Sequence, residues 1–139
     1  LGRDAWSEMS ADLYICDAAN MHLFRDGEFG GIHCAQVAEH WPTDLVPIIF
    51  RELHRVTKPD AKMFLCWDTS ELLERQDRNP QDPDEDRTHR TIKPIAWWAH
   101  TWGLVGWSSV QKTATLRTHP LSFIPEYDLD WVVLEKNGT

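Results

Sequence analysis

The sequence has no cluster of basic residues, and this limits the partners that it can bind. Its 139 residues carry 22 acidic and 14 basic side chains, for a formal net charge of −8. No stretch gathers enough Lys or Arg to follow a phosphate backbone, so direct, non-specific nucleic-acid binding is not predicted. No apolar run approaches the roughly 20 residues that a membrane span needs, and no secretion signal opens the chain. The sequence therefore predicts a soluble, cytoplasmic protein without a membrane partner.

Cysteine is also scarce. Cys16, Cys34 and Cys66 are odd in number, far apart and set within apolar runs. This excludes a disulfide framework and a CxxC zinc knuckle, and it predicts three reduced core thiols. An initiator methionine is absent, since the chain opens at Leu1. We therefore expect further residues upstream of a single domain that spans 1–139, a length that suits one core.

Three apolar runs in the first half of the chain alternate with turns. The run "ADLYICDAA" (11–19) predicts a strand, and the Asp26-Gly27 and Gly30-Gly31 pairs after it mark turns. A second strand is predicted in "GIHCAQVAEHW" (31–41). The run "KMFLCWDTS" (62–70) predicts a third, because nearly continuous apolar residues are typical of a parallel strand covered on both faces.

Between the second and third runs, apolar residues recur at three- and four-residue steps, which predicts an amphipathic helix. Its apolar stripe comprises Leu45, Ile48, Ile49, Leu53 and Val56, and its other face carries Arg51, Glu52, Arg55 and Lys58. A capping residue is available in Pro42-Thr43-Asp44, and Pro59 is expected to end the helix. The Arg and Glu side chains are expected to form a solvated face rather than a catalytic group.

The second half predicts a loop, a helix and two closing strands. Residues 74–90 are polar, charged and proline-containing, as in a mobile loop, and 93–107 fit a short helix closed by glycine. The chain then re-enters the core at Trp107. Two alternating stretches, "SSVQKTATLRT" and "LDWVVLEK", predict final strands joined by "HPLSFIPEYD". This order predicts an α/β sheet with helices on both faces and ligand groups at the carboxyl ends of the strands.

Several stretches share their order and spacing with the motifs of one enzyme family. The hinge "RELHRVTKPDA" is similar to R-E-x-x-R-V-L-K-P-G-G, with Asp60 and Ala61 replacing two glycines. The segment "FRDGEFGGIHCAQVAEH" is similar to F-x-D-x-S-F-D-x-V followed by a strand and L-E-H, with Gly30 in place of an aspartate. The stretch "ICDAANM" is similar to a strand ending in G-D-A, with Cys16 for the glycine. "WAHTWGLVGW" and "DWVVLEK" are similar to a later helix and the last strand.

These motifs resemble the class I S-adenosylmethionine (SAM) dependent methyltransferases, especially those that act on small molecules. The resemblance implies a partial Rossmann-like methyltransferase sheet with helices on both faces and a closing antiparallel strand pair. The hinge would be the crossover from the helix after the family's fourth strand into the fifth. The family's glycine-rich SAM turn and the acidic residue after its second strand have no counterpart here, which implies a truncated domain that begins at the third strand.

In the family's strand order, 3-2-1-4-5-7-6, the predicted strand 11–17 would lack both neighbours. Unpaired backbone groups on an apolar strand are unfavourable when buried and invite another chain when exposed. We therefore expect one of three outcomes: pairing of 11–17 with 31–37, completion of the edge by a partner chain, or exchange between two copies. The last two imply an interface, and exchange implies a homodimer.

The resemblance also implies cofactor contacts. Asp17 matches the carboxylate that accepts a hydrogen bond from the adenine amino group, a donor suited to an acceptor-only side chain. Ala18 would supply a backbone contact beside it, and Gln36 and Val37 would line the methionine portion of SAM. The alternative for Asp17 is that it only caps the next segment.

Methyl transfer depends mostly on positioning, but oxygen or nitrogen acceptors often also need a base near neutral pH, for which histidine is suited. The candidates are His40, His89 and His22, although any single histidine could be a surface residue. Asp68, at the end of the third predicted strand, is placed to face the pocket with an open role. The Glu39-His40 pair is expected to anchor a loop.

No metal site is predicted. His33, His40, Asp17 and Asp68 could converge at the strand ends, yet no pair has the spacing of a recognised site. Core packing explains most of the tryptophan spacing at 97–107. Eight tryptophans nevertheless leave room for an aromatic-lined pocket that takes a planar or sugar-like ligand.

The sequence thus favours a SAM-dependent methyltransferase-like protein of the small-molecule type, with SAM as cofactor if the pocket is complete and with its activity as this chain left open. The alternative is a non-catalytic binding or assembly module that uses the exposed sheet edge of a methyltransferase-derived fold. A third interpretation is an unrelated α/β protein whose motif matches are coincidental.

Overall fold

The computed structural model describes residues 10–82, 85, 87–110, 117–118 and 130–137. The elements, in chain order, are β1 (Phe29–Ala35), α1 (Val46–Val56), β2 (Thr57–Cys66), α2 (Ser70–Arg75), α3 (Ile95–Leu104), β3 (Trp107–Ser109), β4 (Arg117–Thr118) and β5 (Asp130–Lys136). Two short 3-10 turns, Ala38–His40 and Thr43–Leu45, lie between β1 and α1.

One mixed sheet organises these elements, in the order β1-β2-β5-β3 with β4 also paired to β5. Strands β1 and β2 are parallel, with Ala35 opposite Cys66, so both strands end at the same edge of the sheet. Strand β5 is antiparallel to β2, β3 and β4. The predicted Rossmann-like α/β sheet with closing antiparallel strands is therefore confirmed.

Helix α1 lies where the apolar spacing predicted it, but its buried face is rotated. Val46, Ile49, Phe50 and Val56 are buried, whereas Ile48 is 37% exposed. The predicted side-chain cap was wrong, because residues 43–45 form a 3-10 turn and no side chain caps the helix. The helix also ends before Pro59, since extended backbone begins at Thr57.

Strand β2 begins five residues earlier than predicted and therefore contains Pro59. Its pairing with β1 runs from Phe29–Thr57 directly to Gly31–Lys62, an irregular register that leaves residues 58–61 without ladder partners. A proline has no backbone N–H, and an irregular stretch of strand tolerates it. Beyond the irregularity, Ala61, Met63 and Leu65 are buried, which sets the core-facing side of the strand.

The core is rich in tryptophan. Its cluster comprises residues from α1, α3 and one face of the sheet, including the buried side chains Phe50, Trp67, Trp98, Trp102 and Trp107. The aromatic rings meet edge to face, with Trp67 and Trp98 centroids 5.5 Å apart. On the opposite face of the sheet, His33 stacks on Phe64, which in turn packs against Trp131.

The predicted strand at 11–17 was wrong. In the described part of the chain, residues 11–16 belong to no strand and β1 pairs only with β2, so the expected pairing of 11–17 with 31–37 is not formed. An apolar run becomes a strand only where a neighbour supplies a ladder. Leu13, Tyr14 and Ile15 are instead 50%, 57% and 83% exposed. Cys16 is exposed as well, which corrects its assignment to the core, whereas Cys34 and Cys66 are buried as predicted.

In the second half, helix α3 and the return of the chain into the core at Trp107 are confirmed. The predicted loop was too long, because α2 extends to Arg75. The predicted strand 108–118 consists of two short pieces, β3 and β4, with 111–116 between them outside the described residues. The connection "HPLSFIPEYD" (119–128) also lies outside them. No helix in the described ranges is long and apolar enough to cross a membrane.

Candidate functional site

The parallel strands β1 and β2 are joined where they end. Gln36 adopts a positive φ of 57°, and its backbone N–H donates to the Cys66 carbonyl oxygen at 2.7 Å. Its side-chain Nε2 lies 3.5 Å from the Cys66 Sγ atom. This turn carries the chain from β1 into the 3-10 turn at Ala38–His40, so the residues that follow both strands lie at one edge of the sheet.

Five polar residues gather at this edge: Glu39, His40, Asp68, Arg78 and His89, which we call the strand-end cluster. The His40 and His89 rings meet with centroids 4.8 Å apart. The His89 Nδ1 atom lies 4.0 Å from Asp68 Oδ2, and Arg78 binds the same Asp68 oxygen at 3.2 Å. Arg78 also pairs with Glu85 at 2.6 Å. The cluster thus joins groups from three separate parts of the sequence.

The 3-10 turn anchors the segment that carries His89. The Glu39 carbonyl oxygen accepts the N–H groups of Arg90 and Thr91, at 2.7 and 3.0 Å. His40 Nδ1 lies 3.1 Å from the Thr88 carbonyl oxygen and 3.0 Å from its hydroxyl. The Glu39-His40 pair therefore makes the loop-anchoring contacts that the sequence led us to expect.

Burial dominates the electrostatics of the strand-end cluster. The Glu39 side chain is fully buried, and burial raises its pKa to about 7, with the nearby Asp68 carboxylate adding to the increase. The ion pair with Glu85 is the main cause of the raised pKa of Arg78. Glu39 can therefore hold or release a proton near neutral pH, whereas Arg78 stays charged.

The two buried thiols lie close to the cluster, where burial favours their protonated form. Burial raises the pKa of Cys34 to about 12 and raises that of Cys66 as well. Since the thiolate is the nucleophilic form, neither side chain is suited to covalent catalysis.

Two cavities flank the segment that carries His89. A cavity of about 260 Å³ is lined by His89, Arg90 and Lys93 together with Thr43 and Gln81. A second, of about 310 Å³, lies along α2 and includes Arg78 in its lining. Neither lining contains a tryptophan, and Trp98 and Trp102 are buried in the core. The aromatic-lined pocket considered from the sequence gains no support from these cavities.

The cofactor candidates from the sequence lie on two exposed turns. Asp17 Oδ1 accepts the N–H of Ala19 at 2.9 Å, which is the capping role left open above. Ala18 is half-buried beside it and packs against the core. Gln36 and Val37, at the end of β1, are both exposed. These side chains are accessible to an adenosine ligand, and their role stays a prediction.

The structure brings together three of the four catalytic candidates, His40, His89 and Asp68, while His22 is exposed in a turn and makes no described contact with them. Sequence reasoning missed Arg78, whose only signal was its place in a charged loop. It also missed the proximity of Glu39, His40 and His89, which offer one ligand-type atom each, all within 4.8 Å of one another.

Comparison with known proteins agrees with this fold. A family model described as a methyltransferase domain matches residues 3–65. Comparison with curated protein sequences gives no match. Among solved structures, the PH0226 protein of Pyrococcus horikoshii superposes with a TM-score of 0.68 at 16% identity, over 97% of this chain and 65% of that one.

Two further structures share the fold. The YcgJ protein of Bacillus subtilis has a TM-score of 0.60 at 15% identity, over 97% of this chain and 76% of that one. The 1,6-didemethyltoxoflavin-N1-methyltransferase of Burkholderia thailandensis, with bound 1,6-didemethyltoxoflavin and S-adenosylhomocysteine, has a TM-score of 0.63 at 12% identity, over 96% of this chain and 56% of that one. This chain therefore spans less than two thirds of the Pyrococcus and Burkholderia proteins.

The match to a methyltransferase-domain model covers residues 3–65, and the solved structures share the Rossmann-like fold of this chain. Both agree with the methyltransferase resemblance that the motifs carry.

Proposed function

We propose that this chain is part of a SAM-dependent methyltransferase that acts on a small molecule. The observation that carries the proposal is the convergence of His40, His89 and Asp68 at the carboxyl ends of parallel strands, beside a cavity. In open α/β sheets this edge is where ligands bind. The proposal gains support from the bound ligands of the Burkholderia enzyme and from the mitomycin 7-O-methyltransferase, which shares the fold with a TM-score of 0.61.

Some residues of the chain would hold SAM, and others would remove the proton from the methyl acceptor. Asp17 and Ala18 would hold the adenine end of SAM, and Gln36 and Val37 the methionine end. SAM, when bound, supplies an electrophilic methyl group on its sulfonium. His89 or His40 would take the proton from the acceptor oxygen or nitrogen as the new bond to carbon forms, and Asp68 would orient His89 through its Nδ1 side.

Calorimetric titration of the purified chain with S-adenosylhomocysteine tests the proposal. Binding at micromolar strength is expected. Asp17→Asn should weaken it by about tenfold while preserving the turn, because one amide oxygen can accept the Ala19 N–H but leaves no carboxylate for adenine. Asp12→Ala, an exposed acid on the same segment, is the matched control. Absence of binding, or equal binding by Asp17→Asn, would contradict the cofactor site.

The second candidate is an assembly module, which the exposed Leu13, Tyr14 and Ile15 favour together with the open edge of β1 in the described residues. Here the edge would pair with a second copy of the chain or with a partner chain. Light scattering should then give a mass of at least twice 16.2 kDa for the chain with itself. Ile15→Asp should restore the monomer, and Leu104→Asp, at another highly exposed apolar site on α3, should not. A monomer at every concentration excludes the homodimer.

Cytoplasmic location stays a prediction of the sequence.

A further inference from the structure

We propose that Glu39, His40 and His89 form a binding site for one divalent transition-metal ion of the zinc type. This inference does not depend on methyl transfer, since it follows from the ligand atoms alone. Two imidazoles and one carboxylate are a common set of protein ligands for zinc and other divalent ions of borderline softness. The three residues offer ligand atoms that all lie within 4.8 Å of one another.

The spacing of these atoms is close to what a bound ion requires. Ligands placed about 2.0–2.1 Å from a tetrahedral metal are separated by about 3.3 Å. The present separations therefore need to contract by at most about 1.5 Å, which rotation of the side chains can supply. The backbone already holds the ligands near one another, because the Glu39 carbonyl oxygen accepts the N–H groups of Arg90 and Thr91, which follow His89 directly.

The histidines have the outer contacts that metal-bound histidines usually have. The carbonyl oxygen and the hydroxyl of Thr88 lie 3.1 and 3.0 Å from His40 Nδ1, so Thr88 holds the ring in place from that side. Asp68 Oδ2 lies 4.0 Å from His89 Nδ1, on the side where a carboxylate commonly orients a metal-binding imidazole.

The charges around the site are mixed. Asp68 and Glu85 both pair with Arg78, and the buried Glu39 lies near Asp68. Arg90 and Lys93 line the neighbouring cavity. The geometry of the ligand atoms, rather than the local charge, therefore favours a bound ion.

The site would have an open coordination position. The cavity of about 260 Å³ borders His89 and carries Arg90 and Lys93 on its wall. Three protein ligands with one remaining position for water or a substrate group are the pattern of a catalytic rather than a structural zinc site. An anionic oxygen ligand in this cavity would contact both the ion and the two basic side chains.

Titration of chelator-treated protein with Co²⁺ tests the site, because Co²⁺ gives visible absorption bands when it is bound by imidazole and carboxylate. We expect one ion per chain, displaced by Zn²⁺. His40→Ala and His89→Ala should each weaken binding by more than about a hundredfold, since loss of even an outer partner costs about 10–100-fold. Glu39→Gln should weaken Co²⁺ binding to the same extent, although the side chain hardly changes in size. Thr88→Val should weaken binding by an intermediate factor.

Exposed histidines provide the controls. His33→Ala and His100→Ala should bind Co²⁺ like the parent protein, because neither lies in the strand-end cluster. Near-ultraviolet circular dichroism of each variant without metal checks that the tryptophan core is intact. The proposal is overturned if folded parent protein gives no bands, or if binding survives His40→Ala and His89→Ala. S-adenosylhomocysteine titration without metal keeps this outcome separate from that of the methyltransferase proposal.

Discussion

At the scale of single residues, the buried tryptophans of the core differ in whether their indole N–H groups donate a hydrogen bond. The Nε1 atom of Trp107 donates to the Phe50 carbonyl oxygen at 2.9 Å, which ties β3 to α1. Trp98 is just as buried, yet its Nε1 has no hydrogen-bond partner among the described residues. An unmade hydrogen bond in a dry core costs free energy. Two tryptophans in one cluster therefore contribute differently to stability.

This difference predicts unequal costs for the same substitution. Trp107→Phe and Trp98→Phe remove the same indole volume, but only the first also breaks a hydrogen bond and leaves a buried carbonyl oxygen with one donor fewer. We expect Trp107→Phe to lower the free energy of unfolding by about 1 kcal/mol more than Trp98→Phe does. Urea unfolding followed by circular dichroism measures both, and equal costs would contradict the argument.

His54 provides a pH dependence at this scale. Burial, followed by the charge of Lys136, lowers its pKa from the ordinary 6.5, so the unfolded chain binds the proton more readily than the folded one. The contribution of His54 to stability is thus present above pH 6.5 and lost as the pH falls below it. Unfolding free energies at about pH 7.5 and 5.5 should show a larger loss in the parent protein than in His54→Gln. The same loss in both proteins would count against this assignment.

At the scale of elements, the charged face of α1 proves to be structural rather than solvated. Glu52 Oε2 accepts the Met21 N–H at 2.7 Å. Arg55 donates to the carbonyl oxygens of Met21 and Phe24 and pairs with Asp26. Glu52 and Arg55 also bind each other at 2.9 Å, which lowers the pKa of Glu52. The predicted solvated face was therefore wrong for Glu52 and Arg55, because a loop from an earlier part of the chain covers them.

Loss of this contact should free the loop at 21–27. Arg55→Ala removes three contacts to the loop at once, so trypsin cleavage after the exposed Arg25 is expected to become several-fold faster. Arg51→Ala, an exposed position on the same helix, should leave the rate unchanged. Mass spectrometry of timed digests identifies the site, and equal rates in the two variants would show that Glu52 alone holds the loop.

The end of α3 offers a matched pair of glycines. Gly106 has a φ of +98°, and an added Cβ would lie 2.8 Å from His54 Nε2, whereas a Cβ on Gly103 would meet nothing within 4 Å. Gly106→Ala is expected to destabilise the protein by more than about 1 kcal/mol through backbone strain and this clash. Gly103→Ala should stabilise it by about 0.5–1 kcal/mol, because alanine favours helix interiors. Thermal unfolding compares the two, and a shift of the same sign in both would contradict this account.

At the scale of the whole molecule, long-range ion pairs join regions that local sequence does not connect. Arg75, at the end of α2, binds Asp130, at the start of β5, through two hydrogen bonds of 2.9 and 2.8 Å. The Asp130 side chain is only 4% exposed, while that of Arg75 is 42% exposed. This pair sets the last strand against the region that follows β2.

Breaking one partner should leave a buried carboxylate without this guanidinium. Arg75→Ala is expected to lower the free energy of unfolding by about 2 kcal/mol, less than a fully buried pair would lose, because Arg75 is partly solvated. Arg25→Ala, an exposed arginine in a turn, should change it by less than about 0.5 kcal/mol. Chemical unfolding of both variants checks the difference, and similar small effects would show that Asp130 is stabilised by other groups.

The sequence by itself determined the elements whose signals are local. Each of these signals is local to its own element: the apolar period of α1, the glycine that follows α3, and the apolar residues of β1 and of β2. These elements were therefore predictable, and the family motifs added the fold. The predicted end of α1 and start of β2, near Pro59, were less accurate. The reason is that the irregular pairing of β2 in this stretch depends on its partner strand, β1. His40, His89 and Asp68 were predicted as candidates one by one, since histidine and aspartate have recognisable chemistry.

Only the tertiary structure decided which of these groups meet. A strand at 11–17 depends on backbone partners elsewhere in the chain, and its own apolar residues could not supply them. The contact between His40 and His89 joins residues far apart in sequence, and so do the hydrogen bonds from the Arg90 and Thr91 N–H groups to the Glu39 carbonyl oxygen. Local propensity carries no information about such encounters, because they arise from the free energy of packing the whole chain.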